Sequence, residues 1–227
     1  MQLMKYKLLH VVLMSALLVS FAGTSVAKHK KGQDSSGENV PGQFDYYLLT
    51  LSWAPQFCAT NPNGRGTAEC NPSKHMGLVV HGLWPQYNNG KWPQDCSSTP
   101  PVSSSMVNHM LPMMPGKQLI QHEWAKHGTC SGLSVKDYFG SIEKLYSGLS
   151  VPDDFKKPAD SAQTSPGDIE AAFATANNAP KEAFRVSCPQ QDFSAVQACL
   201  DKDLNYMACP ATQRDCRADQ IQVRPVP

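Results

Sequence analysis

GKQLIQHEWAKHGTC, residues 116–130, sets two imidazoles, a carboxylate and an ammonium within six positions: His122, Glu123, Lys126 and His127. Coiled as a helix at about 100° per residue, with Gly128 as its stop, the four fall within an arc of roughly 140°. His122 stands one turn before Lys126 and Glu123 one turn before His127, so each pair meets at the i, i+4 spacing. Buried charge is costly unless paired, which makes such a face poor core material. It reads as a reactive face. Zinc is the first chemistry to weigh, because the segment nearly spells H-E-x-x-H. The second histidine comes one residue late, however, so the imidazoles diverge by about 140° and cannot chelate from one helix. Lys126 would also set a fixed positive charge against the metal. No metal is expected here.

The partner stretch is MGLVVHGLWPQY, residues 76–87. Its opening, 76–80, is apolar and β-branched, the pattern of a short buried strand. His81 follows directly, and Gly82 and Pro85 are expected to turn the chain just afterwards. A histidine at such a strand end projects into a cleft, with Trp84 close by.

HGLWP (81–85) and HEWAKHG (122–128) together resemble the two signature segments of the ribonuclease T2 family, in order and in separation. YYLLTLSWAPQFC (46–58) is similar to that family's opening strand. From residue 155 onward the similarity rests mainly on four late cysteines. The resemblance implies an endoribonuclease acting on single-stranded RNA as a monomer, with no cofactor. Carried onto this sequence, it makes His127 the general base and His81 the general acid, although the residues alone permit the reverse. Lys126 and Glu123 would stabilise the pentacovalent phosphorane, and His122 would bind phosphate. Trp84 would either stack on a base or pack to hold the His81 loop. Many relatives carry Asn or Asp where this chain has Gln86, which leaves base preference open, with Tyr87 as a candidate contact. The resemblance also implies four disulfides: Cys58–Cys70, Cys96–Cys130, Cys188–Cys216 and, nested within the last, Cys199–Cys209.

The chemistry of RNA agrees with those residue types. RNA carries its own nucleophile, the 2′-hydroxyl beside each phosphodiester. Cleavage then needs a base, an acid for the departing 5′-oxygen, and positive charge near the phosphorane. Two histidines suit the proton transfers and a lysine the charge. DNA lacks the internal nucleophile and is expected to stay intact. A binding protein that kept the fold and lost catalysis would ordinarily have lost one of the two histidines; this chain has both.

In chain order, residues 1–27 read as a secretory signal peptide: Lys5 and Lys7, an apolar run over 8–21, then an A-x-A-like end at Ala27. That run is too short to span a membrane, so the mature chain is expected to be soluble, secreted or periplasmic. Loss of the two lysines leaves 18 basic against 19 acidic residues. A protein gripping polyanions through its general field would be strongly basic, so contact with RNA must be local. Eight cysteines, an even number without a C-x-x-C, indicate a disulfide framework in an exported chain. Residues 28–42 read as a flexible polar tail, and 43–227 as one catalytic domain. Strands are expected at 46–53, 184–188, 195–200, 205–209 and 221–223. Helices are expected at 134–149, capped by Ser134, and from Ser165 to about residue 177, with a helical turn in 106–114. Residues 59–74 and 87–115 read as loops that wall a cleft. Strands and helices do not alternate as βαβ units, so the expected fold is α+β with a mainly antiparallel sheet.

Overall fold

Tyr46–Trp53 forms the first strand, β1, in the computed structural model, which describes residues 38–64 and 67–227. The expected signal peptide, and residues 28–37 of the expected tail, lie outside the described residues. Along the chain follow α1 (Ala54–Thr60), β2 (Leu78–Gln86), α2 (Ser104–Met110), α3 (Lys117–Lys126) and α4 (Val135–Gly148). Then come β3 (Ala162–Thr164), α5 (Pro166–Ala176), β4 (Phe184–Ser187), β5 (Ala195–Leu200) and β6 (Ile221–Val223). The fold is α+β. Its main sheet is antiparallel throughout, in the order β2-β1-β5-β4, and β3 pairs with β6 in a small second sheet.

The alternation of β1 divides the molecule. Tyr47, Leu49, Leu51 and Trp53 enter the main core, where they meet Ile120 and Trp124 of α3, Tyr138, Phe139 and Ile142 of α4, and Phe173 of α5. Tyr46, Leu48, Thr50 and Ser52 take the opposite face, because successive side chains of a strand point to opposite sides. Tyr46 and Leu48 there pack against the Cys199–Cys209 disulfide. The helices therefore cover one face of the sheet, and a cavity opens on the other.

The helices capped by Ser134 and Ser165 start where the sequence indicates, the two side chains accepting from the backbone N–H groups of Asp137 and Asp168 respectively. The helical turn expected in 106–114 is instead α2 over Ser104–Met110, where the Ser103 side chain accepts from the Met106 N–H. Other segments depart from expectation. β2 spans Leu78–Gln86 rather than 76–80, and Pro85 is tolerated because β2 is an edge strand. Helix α1 begins at Ala54, with Pro55 in its first turn, inside the stretch similar to an opening strand. Residues 205–209 form no strand; only Tyr206 bridges Leu200 before the Cys209 N–H turns to the Glu182 carbonyl. Residues 38–42 lie against the body rather than trailing from it. The Asn39 N–H donates to the Tyr87 hydroxyl, and the Gly42 N–H to the Cys130 carbonyl at 2.9 Å.

All four disulfides follow the pairing that the family resemblance implied. Cys96–Cys130 joins the chain beyond β2 to the turn after α3, and two hydrogen bonds run beside it. The Asp95 N–H donates to the Lys126 carbonyl at 2.8 Å, and the Cys96 N–H to the Thr129 hydroxyl at 3.2 Å. Replacing both cysteines with serine should lower the unfolding free energy by about 2–5 kcal/mol in a denaturant titration. A loss below about 1 kcal/mol would mean that the hydrogen bonds alone hold the two segments together.

Candidate active site

Thr50 of β1 pairs with Gly82, and its neighbour Leu51 pairs with Val80, so His81 is the extra residue of a β-bulge. The bulge resets the strand's alternation. Val80 and Leu83 both face the core although they are three residues apart, which an unbroken strand forbids. In exchange His81, Trp84 and Gln86 come to the cavity face together. Tyr87 goes the other way: its ring packs on the main core, and the structure does not bring it into the cavity.

Helix α3 packs beside this edge strand, anchored by Ile120 and Trp124, and delivers His122, Glu123 and Lys126. His127 caps it, its N–H bonded to the Glu123 carbonyl at 3.0 Å. Glu123 is the centre of the arrangement and is 1 % exposed. Its Oε2 accepts from the Trp84 indole N–H at 2.6 Å, and its Oε1 lies 3.5 Å from His81 Nε2. An isolated buried carboxylate would cost several kcal/mol, and these two partners offset that cost. On its other side, His81 Nδ1 lies 3.1 Å from the Ser52 hydroxyl, which fixes the ring's orientation.

Trp84 stands between the two imidazoles. Its ring centre is 5.3 Å from His81, edge-on, and 5.2 Å from His127, tilted by 32°. The indole packs between both histidines and holds Glu123, and it also lines the cavity. His127 is 7 % exposed, and its Nδ1 has no partner among the described residues. Burial pushes its pKa down to about 4; Glu123 opposes that shift, and Lys126, His122 and His81 add to it. His127 is therefore neutral at physiological pH.

A cavity of about 710 Å³ takes in all five of these titratable residues together with Trp84 and Gln86. A family model described as the ribonuclease T2 family matches residues 44–209. The chain belongs to the ribonuclease T2 family. It is similar to a ribonuclease of Aeromonas hydrophila, 40% identical over 56% of this chain and 53% of that one. It is also similar to a probable ribonuclease of Haemophilus influenzae, 34% identical over 52% and 48%. The chain thus spans about half the length of these two curated relatives. Ribonuclease DdI of Dictyostelium discoideum is 26% identical over 91% of this chain and 93% of its own. Among solved structures, an RNase-related protein from Calystegia sepium shares the fold, with a TM-score of 0.63 at 23% identity over 80% of this chain and 97% of that one.

Several residues in or beside the cavity of this T2-family chain escape a reading of its two motifs. Ser52 carries no signal beyond its place in a strand, and only the pairing of β1 with β2 brings it to His81. Trp92, an exposed aromatic in the 87–115 loop, lines the cavity and was legible only as a loop residue. Gln197 and Gln213 form a polar ladder across the sheet: Tyr46 hydroxyl to Gln213 Oε1, Gln213 Nε2 to Gln197 Oε1, and Gln197 Nε2 to Thr50 hydroxyl, each at 3.2 Å. The segment 212–217, including Arg214 and Arg217, completes the lining beyond the end of the family match.

Proposed function

We propose that the chain is an exported endoribonuclease that cleaves single-stranded RNA by metal-independent transphosphorylation, with little base preference. The observation that carries this reading is one pair of histidines in unlike settings on either side of Trp84. His127 is buried and held neutral, whereas His81 is half-exposed and set 3.5 Å from a buried carboxylate. A base and an acid need that inequality at the start of each turnover.

In this mechanism His127 takes the proton of the 2′-hydroxyl, and the 2′-oxygen attacks phosphorus. The 5′-oxygen departs with a proton from His81, leaving a 2′,3′-cyclic phosphate. Water then opens the ring with the two roles exchanged. Glu123 Oε1 is placed to pair with an imidazolium at His81, and Lys126 and His122 offer positive charge or donors to the non-bridging oxygens. Little base preference fits Trp92, whose exposed π-face can stack on any base. It also fits Gln86, whose amide donates to the Pro85 carbonyl and is mostly buried. Export fits the leader-like first 27 residues and the four disulfides, which persist in oxidising compartments. No helix among the described residues is long and apolar enough to cross a membrane. The enzyme is proposed to act as a monomer.

The test is purified protein incubated with RNA and with DNA, each with and without EDTA, with early cleavage ends read by mass spectrometry. RNA should be cut in both conditions to 2′,3′-cyclic phosphate ends, and DNA should stay intact. Ends bearing 5′-phosphates and free 3′-hydroxyls would make water the attacking group and overturn the mechanism. Activity lost to EDTA and restored by zinc would do the same.

A further inference from the structure

One wall of the cavity is built by the segment 212–217, which lies beyond the reach of the family match and which the proposed chemistry leaves idle. The segment is pinned at several points. Cys199–Cys209 and Cys188–Cys216 bracket it, the Thr212 hydroxyl donates to the Asn88 carbonyl at 2.8 Å, and the Cys216 N–H donates to the Val186 carbonyl at 2.9 Å. Gln213 is tied down by the ladder to Tyr46 and Gln197. A wall so fastened carries its outward side chains at fixed positions, as a binding surface requires.

Those outward side chains are Arg214 and Arg217, both exposed. Neither makes an ion pair or a side-chain hydrogen bond among the described residues. Asp215, between them, is already engaged. Its Oδ2 lies 3.5 Å from Arg185 Nε, and its Oδ1 accepts from the N–H groups of Val186 and Cys216. The wall therefore presents two uncompensated guanidiniums to the cavity in a chain whose overall charge is +1. Guanidinium forks match phosphate geometry, and so local a pair of cations points to an anion held at this place rather than to a general field.

We propose that Arg214 and Arg217 form a distal phosphate-binding wall, taking backbone phosphates of a single-stranded RNA beyond the scissile one held at His122 and Lys126. The proposal rests on the ribonuclease reading for the identity of the polyanion, and its test is made independent of cleavage. The probe is a fluorescein-labelled 2′-O-methyl oligoribonucleotide, which keeps the phosphates and has no 2′-hydroxyl to react. Its affinity is measured by anisotropy across a salt series for wild type, for R214A/R217A, and for R214K/R217K. Each phosphate contact to a single strand contributes a slope of about 0.7 in log K against log salt. Two contacts give about 1.4, so across a fourfold rise in salt the wild type should lose about sevenfold more affinity than R214A/R217A. R214K/R217K should keep most of the wild-type slope, since a lysine retains the charge. Equal slopes for wild type and R214A/R217A, with equal thermal midpoints, would overturn the wall. A protein that shows the slope and cuts no RNA keeps the wall and loses the proposed function. One that cuts RNA with an unchanged slope does the reverse.

Discussion

Phenylalanine in place of His127 should lower the rate of RNA cleavage by about 10²–10⁴, and phenylalanine in place of His81 should do the same, the usual worth of a positioned base or acid. The pH profile separates the two. Burial holds the His127 pKa at about 4, so below that pH the imidazole carries a proton and cannot accept another. The wild-type kcat/KM should therefore rise as pH increases through about 4. The residual activity of His127→Phe should lack the rising limb, while that of His81→Phe should keep it. A rising limb that survives in His127→Phe would assign it to another group and exchange or remove the proposed base. Folding is not at stake at His127. Its Nδ1 is buried without a partner among the described residues, so an apolar ring there removes an unsatisfied atom rather than a bond. Near-UV circular dichroism of the variant should match the wild type.

Much of this site was legible because its parts are local. The arc of His122, Glu123, Lys126 and His127 follows from helical period alone, and the serines that start α4 and α5 mark their own boundaries. What was hidden is non-local. The bulge at His81 exists only as a mismatch of register between β1 and β2, and neither strand's sequence shows it alone. A regular strand over 76–80 therefore ends too early, and Gly82 and Pro85 are part of the strand and not a turn. In the structure Pro85 sits on an edge strand, where its missing N–H costs nothing, and Gly82 serves close packing instead of chain reversal. The polar ladder of Gln197 and Gln213 has the same character, since it joins residues brought together by the sheet and two disulfides. Tyr87 shows the converse: its neighbourhood in sequence made it a candidate contact, and the alternation that brings Gln86 into the cavity turns Tyr87 out of it.

Gly82 carries the second large effect. It pairs with Thr50 in an extended strand, a conformation that alanine also adopts, so no backbone strain opposes Gly82→Ala. The obstacle is space. A Cβ at this position would overlap Glu123 Oε2 and Trp84 Nε1, and would come within 3.0 Å of Glu123 Cδ. Those two atoms are the ends of the 2.6 Å bond that holds the site together, so the new methyl group must drive apart the indole and the carboxylate. Trp84 contacts both imidazoles, and Glu123 contacts His81, so neither can move without disturbing the setting of the two histidines. A displacement of about 1 Å in a reactive geometry costs on the order of 10² in rate. Overpacking adds a stability loss of about 1–3 kcal/mol, which the four disulfides can absorb without global unfolding. Gly82→Ala should accordingly yield a folded, disulfide-bonded protein whose kcat is down by about 10² or more. Activity within about threefold of wild type would show that the site yields without cost and that the Trp84–Glu123 bond does not set the geometry. Glu123→Asp in the same background decides where the strain lies. It withdraws the carboxylate by one methylene, which relieves the overlap with Glu123 and leaves the one with Trp84 Nε1, so thermal stability should recover in part while activity stays low. A midpoint that does not recover at all would show that the overlap with Trp84, and not that with Glu123, carries the strain.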